Sequence, residues 1–136
     1  MTNKNTTKMN SKINLTGAIL GLTAVILGAF GAHTLKELLS IEQLTSFETG
    51  VKYQMYHALF LLFLGFNNQM NDKIKKTIFY FISFGVLFFS GSIYLLSTSN
   101  VTSLNFRPFG IITPIGGVLL IIGWGLFAKQ FLSNKS

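Results

Sequence analysis

The sequence predicts an all-α fold, an integral membrane four-helix bundle with an amphipathic helical connection between spans 1 and 2. Three observations carry that prediction. The 136 residues are 49% hydrophobic and only 11% charged, with a mean hydropathy of +0.50, whereas about 25% of residues are charged in an average soluble domain. Four apolar windows have lengths suited to helices. The lysines stand between those windows, not within them.

Residues 1–12 form a basic tail with Lys4, Lys8 and Lys12, expected on the cytoplasmic side. The first span follows at about 13–31. Its window, Ile13 to Phe30, is broken only by Asn14, Thr16 and Thr23. A helix rising ~1.5 Å per residue needs ~20 such residues to cross a ~30 Å hydrocarbon core. Gly17, Gly21, Ala24, Gly28 and Gly31 are spaced four, three, four and three apart, which sets five small residues on one face for close helix packing. Three lysines, an apolar run and "GAFGAH" also fit a cleaved secretory leader, but a disposable leader has no use for such a stripe.

Thr34 to Leu39 reads as the connection, a short surface helix with leucines on one side and Lys36 and Glu37 on the other. Span 2, at about 47–66, has the weakest signal. The apolar run Tyr53 to Phe66 covers only ~21 Å, too short unless the helix borrows residues upstream. Ser40-Ile41-Glu42-Gln43 is a capping box, so one helix is expected from Ile41 to Phe66 with Ile41, Leu44, Phe47, Val51 and Met55 as its apolar stripe. Span 3, at about 78–96, contains Ser83, Ser90 and Ser92 but no charge. Span 4, at about 111–129, opens with Thr113 and Pro114 as N-cap and first-turn residues. Residues 13–131 then form a single domain, and 132–136 a second cytoplasmic tail.

Charge asymmetry sets the orientation. Eight lysines fall in the two tails and in the turn around Lys73, Lys75 and Lys76, against one acid, Asp72. The other two connections hold Lys36, Lys52 and Arg107 against Glu37, Glu42 and Glu48, so the net charge of +7 lies entirely on one side. Both termini are expected in the cytoplasm of a bacterial plasma membrane. Used up as an orientation signal, the charge gives no reason to expect nucleic acid as a partner. Cysteine is absent, which excludes disulfides, thiolate metal sites and a cysteine nucleophile.

"GAFGAHTLKELLS", "QLTSFETGVKYQMYHALFLL", "FSGSIYLL" and "ITPIGG" together resemble domain-of-unknown-function family 423, a family of small membrane proteins. The resemblance runs from about Leu15 to Phe127, with Thr34 where the family more usually has alanine. It implies a four-helix membrane protein and brings no catalytic residues with it.

With four spans threaded, the unusual polar residues gather toward the outer-leaflet end: His33, Tyr53, Gln54, His57, Ser90, Ser92, Arg107 and Thr113. Gly50, Tyr53, Gln54 and His57 share one face of span 2 and are expected to face the bundle, because a histidine is costly against lipid. The simplest role for His57 is a packing residue bonded to Ser90, Ser92 or Thr113. A haem or metal site joining His33 and His57 is the sharper alternative, yet Glu48 lies on the wrong face to complete it. No metal or cofactor is therefore expected. No charged residue lies within an apolar window, and no nucleophile elbow, His-Glu-x-x-His or phosphate loop is present, which argues against proton-coupled transport and against an enzyme. The expected function is packing with itself, with lipid or with a membrane-protein partner; the alternative is a small oligomeric transporter or channel for a neutral solute.

Overall fold

Asparagine and serine side chains start three of the long helices. Asn3 Oδ1 accepts the Thr6 N–H at 2.7 Å and begins α1 (Lys4–Phe30). At Ser40 the reciprocal box is complete: the Gln43 N–H donates to Ser40 Oγ, and Ser40 N–H donates to Gln43 Oε1. It opens α3 (Ile41–Phe66). Asn71 Oδ1 accepts the Lys73 N–H and begins α4 (Asp72–Ser97), whose first turn holds Asp72 against the positive end of the helix dipole. The computed structural model describes residues 3–105 and 107–133. The last lysine of the expected C-terminal tail, Lys135, lies outside them.

The chain between α1 and α3 departs from expectation. No separate surface helix begins at Thr34. Gly31 keeps right-handed helical angles, so α1 continues through a π-helical turn (Gly31–Leu35) into α2 (Lys36–Leu38), and the break falls at Leu39. Nothing in this stretch stops a helix: it has no proline and no left-handed residue. Leu35 and Leu39 are buried against Phe47, while Lys36, Glu37 and Leu38 are exposed.

After α4 come a single-turn α5 (Ser99–Thr102), a 3₁₀ turn (Arg107–Ile111) and α6 (Ile112–Ser133). The last helix thus starts before Thr113, which is not its cap. Three helical stretches are long and apolar enough to cross a membrane: Lys4–Leu38, Asp72–Ser97 and Arg107–Leu132. α3 is as long as α4 but more polar, and like α4 it has an extensively covered face, burying Phe47, Gly50, Gln54, His57, Leu61 and Leu64 among others.

α1 packs along α3, α3 along α4 and α4 along α6. The first seam is set by small residues: a Cβ on Gly17 would stand 2.9 Å from the Ala58 carbonyl oxygen, and one on Gly31 would meet the Phe47 ring at 3.1 Å. Ala24 is buried, and Gly21 and Gly28 face Ala58 and Val51 at ordinary contact distance. In the α4–α6 seam, Gly116 abuts the backbone of Phe88 and Phe89, too close for any side chain. Between the seams sits one apolar core of Ile13, Leu61, Leu64, Ile78, Ile82 and Leu120.

Candidate functional site

Gln54 and His57 project from α3 three residues apart, and both are almost fully buried, at 5% and 3% exposure. Each is bonded to other helices. The Gln54 amide nitrogen donates to the Leu20 carbonyl at 2.9 Å and to Thr23 Oγ1 at 2.7 Å, both on α1. Its Oε1 accepts the Tyr94 hydroxyl of α4 at 2.6 Å. Because a backbone carbonyl can only accept, the amide orientation is fixed by chemistry. One glutamine thus joins three helices.

His57 is held in the same way. Trp124 Nε1, which can only donate, lies 3.0 Å from His57 Nε2, and the Tyr53 carbonyl, which can only accept, lies 2.6 Å from Nδ1. These partners select the neutral imidazole with its proton on Nδ1. Trp124 is anchored in turn by Phe60, edge to face at 4.5 Å.

Two further bonds tie α4 to its neighbours. Ser90 Oγ donates to the Gly50 carbonyl at 2.7 Å, where α3 lacks a side chain and Tyr94 lies against its backbone. Ser92 Oγ donates to the Phe89 carbonyl at 3.0 Å and therefore accepts from Thr113 Oγ1 of α6. Thr113 acts as an interhelical partner.

The eight polar residues singled out above do not form one cluster. Gln54, His57, Ser90, Ser92 and Thr113 are spent on contacts between helices, and Tyr53 contributes its carbonyl while its ring packs on Phe89. His33, on the π-helical turn, and Arg107, on the 3₁₀ turn, are exposed and bond to none of the others. Partners expected for His57 also differ: it bonds Trp124 and Tyr53, not Ser90, Ser92 or Thr113. With both ring nitrogens taken, His57 has no lone pair for a metal, and among the described residues no three potential ligands gather.

Depth differs as well. Gln54 reaches Leu20 and Thr23, the middle of the uncharged run Ile13 to Phe30. His57 lies ten residues before Asn67 on a helix that ends at Phe66, which is ~15 Å, half of a ~30 Å apolar core. The network lies near the middle of the helices' length, away from the end where Ser92 and Thr113 meet.

Three members escaped the sequence reading: Thr23, Tyr94 and Trp124. Trp124 and Tyr94 had a signal, since each carries a donor into an apolar stretch where it must find an acceptor. Lys75 is a fourth surprise. Read as a solvated orientation charge, it is 1% exposed, and its ammonium donates to Asn10 Oδ1 at 2.9 Å and to the Asn67 carbonyl, pinning the α3–α4 turn to α1.

Comparison with known proteins gives a consistent picture. The family described as protein of unknown function (DUF423) matches residues 27–117. A UPF0382 membrane protein of Staphylococcus saprophyticus is 43% identical over 79% of this chain and 86% of its own length. The UPF0382 membrane protein YwdK of Bacillus subtilis is 42% identical, over 79% and 85%. The UPF0382 inner membrane protein YgdD of Escherichia coli is 36% identical, over 80% of each chain. No solved structure matches.

Proposed function

The chain belongs to the DUF423 family of proteins of unknown function, and on that premise we propose a four-span protein of the bacterial plasma membrane that works by helix packing. Both termini lie in the cytoplasm, and α3 is the fourth span, made tolerable in lipid by the bonds it makes to α1, α4 and α6. Its action is non-enzymatic, through contacts with itself, with lipid or within a larger membrane complex.

One observation carries this reading. The two buried polar side chains that α3 brings to mid-depth are consumed within the bundle: Gln54 by Leu20, Thr23 and Tyr94, and His57 by Trp124 and Tyr53. A reacting substrate or a permeating solute needs donors and acceptors that are free to change partner. Here they serve assembly. Outward, α1 and α6 present Leu15, Leu22, Val25, Val118 and Ile121, surfaces suited to lipid or another helix.

A second reading, a small oligomeric carrier for a neutral solute, draws on the mid-depth position of Gln54 and His57. Purification in mild detergent followed by native mass measurement and a flux assay in vesicles separates the two. A defined oligomer or complex without flux supports packing. Solute flux abolished by Gln54→Leu or His57→Phe overturns it.

A further inference from the structure

At the lysine-rich end, α1 and α4 border an open groove of about 340 Å³. Lys8 and Lys12 stand on its α1 wall and Lys76 on its α4 wall, above a floor of Met9, Phe79 and Tyr80. All three lysines are exposed, and among the described residues none has a hydrogen-bonding or ionic partner. The one acid present, Asp72, accepts a hydrogen bond from Thr6, which leaves the cations in excess. Tyr80 also borders a second cavity of about 420 Å³, lined by Thr77, Phe81, Phe84, Phe88 and Leu119 and almost wholly apolar. Tyr80, Phe84 and Phe88 follow one another at successive turns of α4, with ring centroids 6.3 Å apart at each step.

We propose that this groove is a binding site for one anionic phospholipid, its phosphate held among Lys8, Lys12 and Lys76 and an acyl chain laid along Tyr80, Phe84 and Phe88. The proposal rests on the membrane-spanning reading above and names a lipid class for it. Charge and apolarity run in the order that a lipid presents them. From Tyr80 to Phe88 the trough falls ~12 Å along the helix, close to the ~15 Å depth of one leaflet's hydrocarbon. A soluble anion matches only the mouth, and a zwitterionic lipid only the trough. Lysine ammonium groups at a membrane surface favour anionic headgroups in any arrangement. What sets this site apart is the trough beneath them.

The test is native mass spectrometry of the full chain in mild detergent, titrated with phosphatidylglycerol or phosphatidylcholine of equal chain length. One phosphatidylglycerol is expected to stay bound where phosphatidylcholine is lost, with excess glycerol phosphate failing to displace it. Lys8→Gln/Lys12→Gln/Lys76→Gln should weaken retention by about tenfold or more, while Lys36→Gln/Lys52→Gln/Arg107→Gln, an equal loss of charge at the other connections, leaves it unchanged. Equal retention of the two lipids, or equal loss in both triple variants, overturns the site. Phe84→Ala keeps every charge and serves if the first triple variant does not fold: weaker phosphatidylglycerol retention is expected, and undiminished retention refutes the trough. Labelling from each side of the membrane reports the spanning topology separately, so a failed lipid site and a failed topology give different results.

Discussion

The indole N–H of Trp124 points at His57 Nε2 across 3.0 Å, joining the only tryptophan of the chain to a buried histidine on another helix. Sixty-seven positions separate the two in sequence. Trp124→Phe keeps an aromatic ring against Phe60 but strands the His57 nitrogen. Hydrogen bonds between membrane helices are worth about 0.5–1.5 kcal/mol, so thermal unfolding in detergent should shift down modestly. His57→Phe combined with Trp124→Phe should cost less than the two single changes added together, because the same bond is lost in each.

Gln54 has the larger effect. Gln54→Leu removes three bonds at once and leaves the Tyr94 hydroxyl without its acceptor. A loss of about 1–3 kcal/mol is expected from the same unfolding measurement. Tyr94→Phe, which deletes donor and desolvation cost together, should cost less. The reverse ranking would show that the amide is not the hub.

At the α1–α3 seam, Gly17→Val should separate the two helices, since its Cβ would press on the Ala58 carbonyl at 2.9 Å. Overpacking of this kind costs about 1–3 kcal/mol. Gly125→Ala is the matched control, because nothing lies within 4 Å of that position. Its unfolding midpoint should not fall.

Neighbouring lysines should respond differently. Lys75→Met strands Asn10 Oδ1 and the Asn67 carbonyl and should loosen the α3–α4 turn at a cost of about 1 kcal/mol or more. Lys76→Met, on the exposed side of the same helix, should stay within about 0.5 kcal/mol. Limited proteolysis between Asn67 and Asp72 reads the same difference locally.

Local chemistry was legible in the sequence. The Ser40–Gln43 box fixes the start of α3, because both partners lie within one turn. The face shared by Gly50, Tyr53, Gln54 and His57 is legible in part: helical periodicity alone puts them together, and Gly50, Gln54 and His57 are buried, whereas Tyr53, at the margin of that face, is 40% exposed. What periodicity cannot supply is the rotation and depth of one helix relative to another. That relation decides whether His57 meets Ser92 or Trp124, and whether Lys75 faces water or Asn10. Thr113 was misread for a related reason: Thr-Pro is a sound local start signal, yet a preceding 3₁₀ turn had already begun the helix and freed the hydroxyl for Ser92.

The central claim is that α3, the long helix without an apolar stretch of spanning length, crosses the membrane because its buried Gln54 and His57 are satisfied from within. The chain has no cysteine, so single cysteines at Ser46, Asp72 and Ser103 can be labelled in intact cells with a membrane-impermeant reagent. Ser46→Cys and Ser103→Cys are predicted to label from outside, and Asp72→Cys only after the membrane is opened. Labelling of Ser46→Cys and Asp72→Cys from the same side would show that α3 does not span, and would contradict the account.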